Sequence, residues 1–183
     1  DMLDLLLRVD SLNPKIETLK LATDIADDWI IKHVISTRKD DFAWYDMAVG
    51  QRATKLSYMI RRLIQINADS DLILRFILAA QVHFSELMDI KRIATHSNHG
   101  LFQIAGLISL SQNLPWMLRS ERATIIAENV LKQMLSEHFS EDGLHLEHSP
   151  QYHLFMASHL AFLNDSGWLS DDFGSLSDLI KNV

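Results

Sequence analysis

Hydrophobic positions recur every three or four residues along most of the chain, which is the spacing of one face of an α-helix. The clearest early example is a face formed by Leu21, Ala22, Ile25, Ala26, Trp29, Ile30 and His33. No alternation typical of β-strands continues for more than a few residues, and only six glycines and three prolines are present. The pattern therefore predicts an all-α protein.

Capping residues divide this pattern into about seven helices, because Asn and Ser are favoured N-caps and Pro is favoured at the first helical position. Four of the predicted helices run from Asn13-Pro14 to about Thr37, from about Asp41 to Ile66, from Ser70 to about Met88, and from Gly100 to about Gln112. The fifth predicted helix has its apolar rows over 126–135 and stops at 141–143. Ser149 caps the sixth, which begins at Pro150, and the seventh is a short helix over 176–180.

Short loops between helices of roughly 15 to 25 residues predict antiparallel helical hairpins. A helical bundle and a curved α/α toroid of hairpins both fit this pattern. The length of 183 residues fits one domain or a large piece of one. The periodicity alone leaves the two architectures open.

Composition narrows the possible chemistry. The net charge is −7 and no basic run is present, so nothing points to nucleic-acid binding. The absence of cysteine excludes disulfides, thiolate zinc sites and a cysteine nucleophile. No apolar run approaches the roughly 18 residues of a membrane span, and no signal peptide is visible. No cofactor is predicted.

Two polar clusters lie at predicted helix starts. The first is "HSNHG" at residues 96–100, which contains Asn98 and His99. The second surrounds Ser149 and contains Glu147, His148, Tyr152 and His153. Unpaired backbone N–H groups and the positive end of the helix dipole favour a bound anion at such a position.

Each of these residues also has a purely structural interpretation. Asn98 is a good N-cap, and His99 fits a structural histidine that is hydrogen-bonded inside the fold. Tyr152 fits a half-buried packing residue, and Glu147 fits a capping or solvated carboxylate. No HExxH-like pair places two metal ligands on one helical face, so no metal site is predicted.

The paired motifs carry a resemblance. "SNHGLFQIAGLISL" followed by "DGLHLEHSPQYHLFM" resembles the heparinase II/III-like family of polysaccharide lyases, which includes alginate and oligo-alginate lyases. The upstream stretch "FAWYDMAVGQRATKLSYMI" resembles the corresponding region of that family. Together these stretches span residues 42–156, and the pair of motifs is more specific than either alone.

The resemblance implies an α/α toroid that is usually followed by a β-sandwich domain. With about seven helices and no β-domain, residues 1–183 resemble a single helical domain that is an incomplete toroid, a fragment of a larger enzyme. Such enzymes cleave uronic-acid-containing polysaccharides by β-elimination, and the resemblance implies a periplasmic or secreted bacterial protein. The residue matching Asn98 contacts the substrate carboxylate, and those matching His99 and Tyr152 serve in proton transfer or charge neutralisation.

The residue types agree with this chemistry. Removing the weakly acidic proton α to a uronate carboxylate requires neutralisation of that carboxylate, which an amide or an imidazole donor provides. A base must take the proton, and an acid must protonate the departing glycosidic oxygen. The predicted substrate-binding residues are Trp44, which can stack on a sugar, Arg52, which can bind an anion, Glu147 and His153.

Two other functions stay open at this point. A helical carbohydrate-binding or scaffold domain could keep the fold without the chemistry. A glycoside hydrolase would need two carboxylates about 5–10 Å apart across a groove. Glu147 is a well-placed carboxylate, but the sequence offers no evident partner for it.

Overall fold

The computed structural model describes residues 2–36, 41–146 and 149–170, and this part of the chain is all-α as predicted. No β-strand forms within it, and one isolated antiparallel bridge joins Phe139 to His145. Its seven α-helices are α1 (Met2–Leu12), α2 (Ile16–Ile30), α3 (Asp46–Gln65), α4 (Ser70–Met88), α5 (Asn98–Asn113), α6 (Ser120–His138) and α7 (Pro150–Asp165).

The predicted helix starts agree with the structure where a polar cap is present. The Ser149 hydroxyl accepts a hydrogen bond from the backbone N–H of Tyr152, and Pro150 is the first residue of α7. Ser97 caps α5, which begins at Asn98, two residues before the predicted start at Gly100. Asp69, rather than the predicted Ser70, caps α4.

The prediction of a helix start at Asn13-Pro14 is wrong. Both residues lie in the turn between α1 and α2, and Lys15 is the N-cap of α2. The backbone N–H of Lys15 donates to the carboxylate of Asp10 at 3.3 Å. The helix that contains Asp10, α1, was not predicted, because this carboxylate occupies a fully buried position where a helical pattern would have an apolar residue.

The other differences lie at helix ends. The helix predicted to reach Thr37 ends its α-helical part at Ile30 and continues as a π-helical turn over Ile31–Ile35. The helix predicted from Asp41 begins at Asp46, after a 3₁₀ turn over Asp41–Trp44. The short helix predicted over 176–180 lies outside the described residues.

The odd-numbered helices run in one direction. Contacts between α3 and α5 advance together along both helices, from Gly50 against Phe102 to the Ser57 hydroxyl at 2.6 Å from that of Ser109. The contacts of α1 with α3 advance in the same way. Those of α5 do so along α7 and the residues just after it, from Phe102 against Phe155 to the Gln112 side chain, which donates to the carbonyl of Trp168. The starts of α3, α5 and α7 therefore lie at one end of the molecule.

The even-numbered helices run in the opposite direction. Arg52 near the start of α3 contacts Trp29 near the end of α2 and His83 near the end of α4. His138 at the end of α6 contacts the carbonyl of Thr95, just before α5. Antiparallel hairpins are thereby confirmed, while their arrangement in a toroid stays a prediction.

α5 is the central helix of the described fold. Most of its residues are buried, among them Leu101, Ile104, Leu107 and Leu110. It packs against α3, α4 and α6, so its first turn lies in the middle of the end where the odd-numbered helices begin. No helix among these residues is both long enough and apolar enough to cross a membrane.

α3 and α5 approach each other backbone to backbone. A Cβ atom added at Gly50 would lie 2.3 Å from the carbonyl oxygen of Phe102, and one added at Gly106 would lie 2.5 Å from the carbonyl oxygen of Gly50. Neither contact can be relieved by rotating a side chain, because both involve backbone atoms. Glycine at these two positions therefore sets the distance between α3 and α5.

We expect Gly50→Ala to lower the free energy of unfolding by roughly 1–3 kcal/mol, because the added methyl group overpacks this contact. A Gly→Ala substitution in a helix interior usually raises the stability instead, since Ala is favoured over Gly there by about 1 kcal/mol. Urea unfolding followed by circular dichroism measures the change. Ser85→Ala on the exposed face of α4 is the control and should change the stability little. Unchanged or increased stability of Gly50→Ala would contradict the close approach.

Candidate active site

The described residues of the two predicted polar clusters lie at the shared end of the odd-numbered helices. Asn98 and His99 occupy the first turn of α5, and Tyr152 occupies the first turn of α7. The residues immediately around the start of α3, Tyr45 and Asp46, complete this end of the molecule. The parallel course of these helices brings together segments that are far apart in the sequence.

His99 is held by two polar groups from the start of α3. Its Nδ1 atom lies 3.1 Å from Oδ1 of Asp46 and 3.2 Å from the hydroxyl oxygen of Tyr45. The ring of Tyr45 also meets the imidazole edge-on, with ring centroids 5.4 Å apart. Both side chains are partly accessible, since the exposed fraction is 28% for His99 and 31% for Asp46.

Asn98 does not cap its helix. The hydroxyl of Ser97 accepts the hydrogen bond from the backbone N–H of His99 at 3.3 Å and fills the capping role. Within the described part of the chain the half-buried Asn98 side chain makes no hydrogen bond. The capping interpretation of Asn98 is therefore wrong, and its amide remains available to a ligand.

Tyr152 is connected to α5 by a row of aromatic rings. Its ring lies 4.9 Å from that of His145 and 6.1 Å from that of Phe155, measured between centroids. Phe155 in turn lies 6.1 Å from Phe102, which is one helical turn after His99. Tyr152 and His99 therefore lie in the first turns of two parallel helices, α7 and α5, that contact each other.

His153 supports the segment that leads into α7. Its Nδ1 atom accepts a hydrogen bond from the backbone N–H of His145 at 3.1 Å, so this nitrogen carries no proton. Glu147, predicted to bind substrate, and the neighbouring His148 lie outside the described residues. The described residues bring together no group of three or more His, Asp or Glu side chains that could hold a metal ion.

Arg52 and Trp44, predicted to bind substrate, lie in a separate aromatic cluster. Arg52 is two residues after Gly50, so its side chain leaves α3 roughly 200° away from the face that meets α5. Its guanidinium lies 4.2 Å from the ring centroid of Trp29 and 5.7 Å from that of Trp44. The described contacts of these two residues are thus with this cluster, and their part in binding substrate stays a prediction.

Burial fixes the charges in this cluster. The Nε of Arg52 donates to Nε2 of His83 at 3.1 Å, and its other polar contact is the carbonyl of Ala43. Burial lowers the pKa of Arg52 to about 10, so it stays cationic at neutral pH. Burial and then the charge of Arg52 lower the pKa of His83 to about 3, so His83 is neutral. Arg52 therefore anchors the segment before α3, which carries Tyr45 and Asp46.

Sequence reasoning did not single out Tyr45, Asp46, Trp29 or His83. The first two lie inside "FAWYDM", which belongs to the longer stretch that resembles the family. A Tyr-Asp pair directly before a predicted helix was the available signal. Its meaning depends on α3 and α5 beginning side by side, which no local pattern shows.

An all-helical domain with Asn, His and Tyr side chains at neighbouring helix starts defines a candidate site for polar or anionic ligands. A model of the family described as heparinase II/III N-terminus matches residues 22–167, which is most of the chain. The chain therefore belongs to the heparinase II/III N-terminal family. Membership relates it to polysaccharide lyases.

Neither the curated proteins nor the solved structures yield a match to this chain. The family match and the geometry described above are thus the two independent supports for a function.

Proposed function

We propose that this chain is part of a polysaccharide lyase that cleaves uronic-acid-containing polysaccharide by β-elimination. The observation that carries the proposal is the arrangement at the starts of α5 and α7. The Asn98 amide makes no hydrogen bond among the described residues, and Asp46 and Tyr45 hold the neighbouring His99. Tyr152 supplies a phenol from the parallel helix. These are the three side chains that the family resemblance assigns to the reaction.

The three residue types meet the needs of the reaction. The Asn98 amide donates to the substrate carboxylate and stabilises the negative charge that develops when the α proton leaves. The first turn of α5 adds the positive end of a helix dipole, which favours the same anion. His99 and Tyr152 are the groups that accept and donate protons, one at the α carbon and one at the departing glycosidic oxygen.

Further parts of the proposal concern the rest of the enzyme. We propose a β-sandwich domain that follows these helices in the natural protein and contributes further active-site groups. The substrate is an anionic polysaccharide or oligosaccharide, with alginate-type polymers as the first choice. A periplasmic or secreted location in a bacterium fits such a substrate, since a polymer of this size is met outside the cytoplasm.

The proposal is tested by incubating the natural full-length protein with a panel of uronic-acid polymers. β-Elimination leaves a carbon–carbon double bond conjugated to the carboxylate, so the product absorbs in the ultraviolet. We expect absorbance to rise on at least one polymer of the panel, with a neutral glucan as the control.

Absence of an unsaturated product on every uronate polymer would count against the lyase. Binding without turnover, measured by calorimetry on the same panel, would favour a helical carbohydrate-binding domain. Reducing ends without ultraviolet absorbance would indicate hydrolysis instead.

A further inference from the structure

We propose that Asp46 is a positioning residue that holds His99 in the tautomer with its ring proton on Nδ1. Nε2 is then the nitrogen that faces a substrate with a lone pair. The tautomer follows from the described contacts, and only the use that a substrate makes of Nε2 rests on the proposed function. Neither the family match nor the sequence motifs assign a role to Asp46.

The contact distances decide where the proton lies. The carboxylate of Asp46 is negative, and its Oδ1 lies 3.1 Å from Nδ1 of His99, close enough for a direct electrostatic contact. A protonated Nδ1 places the partial positive charge of its N–H beside this carboxylate, whereas an unprotonated Nδ1 places its negative lone pair there, so the contact favours the form with the proton on Nδ1. The hydroxyl of Tyr45, 3.2 Å from the same nitrogen, can donate or accept and so does not decide the tautomer.

Asp46 is itself held in place. It is the first residue of α3, and its Oδ1 also accepts from the backbone N–H of Met47 at 2.5 Å. The positive end of the α3 dipole favours a negative charge at this position. Because Gly50 fixes α3 against α5 one turn further on, the carboxylate and the imidazole keep their relative position.

This arrangement has a consequence for the proposed reaction. His99 presents an acceptor to the substrate at Nε2, while the Asn98 amide provides a donor beside it. A proton taken by Nε2 from the α carbon would leave a cationic imidazolium, and the carboxylate of Asp46 would stabilise that charge. The electron pair of the broken C–H bond forms the new double bond, and the glycosidic oxygen leaves with a proton from an acid.

The test is the tautomer of His99, read from ¹⁵N chemical shifts in the 183-residue chain labelled at its histidines. Spectra are recorded at about pH 9, above the range of about pH 5–8 in which histidines ordinarily titrate. His99→Gln identifies the signals of His99 among those of the nine histidines. We expect the wild-type ring to be protonated mainly on Nδ1.

Three variants separate the groups involved. Asp46→Asn should reverse the preference toward Nε2–H, because its amide can donate to Nδ1, and Asp46→Ala should lose the preference for Nδ1. Tyr45→Phe should leave the tautomer unchanged. Asp71→Asn is the matched control, since Asp71 is an exposed acid in the first turn of α4 and faces no histidine.

A wild-type ring protonated mainly on Nε2 would overturn the proposal. So would Asp46→Asn and Asp46→Ala rings that both keep the Nδ1 proton. Should Asp46→Ala not fold, the isosteric Asp46→Asn decides.

In the full-length protein, Asp46→Asn should lower kcat by at least about tenfold with little change in KM. This is less than the roughly 10⁴-fold effect at a buried serine-protease aspartate, because Asp46 is partly accessible. An inactive wild-type protein whose His99 carries its proton on Nδ1 would remove the lyase proposal and leave the role of Asp46 intact. An active protein whose His99 carries its proton on Nε2 would support the lyase proposal and remove the role of Asp46.

Discussion

Replacing Tyr152 with phenylalanine in the full-length protein is expected to lower kcat by about 10²–10⁴-fold, with little change in KM. This is the usual contribution of a general acid or base, and the substitution removes the hydroxyl group that would carry the proton. The ring contacts of Tyr152 with His145 and Phe155 need only the aromatic ring, which phenylalanine keeps. The measurement is the initial rate of ultraviolet absorbance at saturating substrate.

Tyr58→Phe provides the matched control, because it also removes a phenol hydroxyl. That hydroxyl donates to Asp10 at 2.7 Å, remote from the starts of α5 and α7. Burial and the hydrogen bond to Asp10 raise the pKa of Tyr58 to about 12, so it stays protonated and is a poor proton carrier at neutral pH. Tyr58→Phe should lower stability and leave turnover per folded molecule unchanged. A loss of less than about tenfold for Tyr152→Phe would remove Tyr152 from proton transfer.

Replacing Asp10 with alanine is expected to lower the free energy of unfolding by about 3–5 kcal/mol, the usual cost of breaking a buried ion pair. The Asp10 side chain is fully buried, and it accepts hydrogen bonds from Nε of Arg62 at 2.8 Å and from Tyr58. Its removal leaves the largely buried charge of Arg62 without this partner and removes one of the links between α1 and α3. Urea unfolding at about pH 7 measures the loss.

Asp4 provides the control for Asp10 on the same helix. Its carboxylate pairs with Lys55 at 2.9 Å, but the Asp4 side chain is 57% exposed. Exposed ion pairs contribute about 0–1 kcal/mol, so Asp4→Ala should change stability little. Equal losses for the two variants would contradict the importance of the buried pair.

Lowering the pH should also lower the free energy of unfolding through the buried carboxylate of Asp10. Burial by itself raises the pKa of Asp10, but the hydrogen bonds from Arg62 and Tyr58 outweigh it, so the pKa lies below its ordinary value. The unfolded chain therefore binds this proton first as the pH falls, and the stabilisation is lost below about pH 4. Asp10→Asn should lose less stability than the wild type between about pH 5 and pH 3, which unfolding curves across that range would show.

Local patterns predicted most of the helices, and the failures have local causes too. Hydrophobic periodicity placed α3 to α7 because each buries a face whose spacing is visible in the sequence. α1 was not predicted, because Asp10, a charged residue, occupies one of its buried positions. Asn13 has the right side chain for a cap, but the chain turns there and the backbone of Lys15 bonds to Asp10 instead.

The candidate site was only half visible in the sequence. Asn98, His99 and Tyr152 could be named from their motifs, and the structure places them at neighbouring helix starts. Tyr45, which contacts His99, lies 54 positions before it, and no spacing rule links the two. That Arg52 and Trp44 bind substrate stays a prediction, because a sequence pattern cannot show which side chains the guanidinium and the indole contact in the folded protein.

The sequence by itself determined the helical class, the course of most helices and the Ser-Pro start of α7. These features depend on side chains within about four residues of one another, so they can be read locally. Only the tertiary structure decided that α3, α5 and α7 begin at the same end and that Asp46 meets His99. That decision depends on backbone contact at Gly50 and Gly106, which arises when distant parts of the chain pack together.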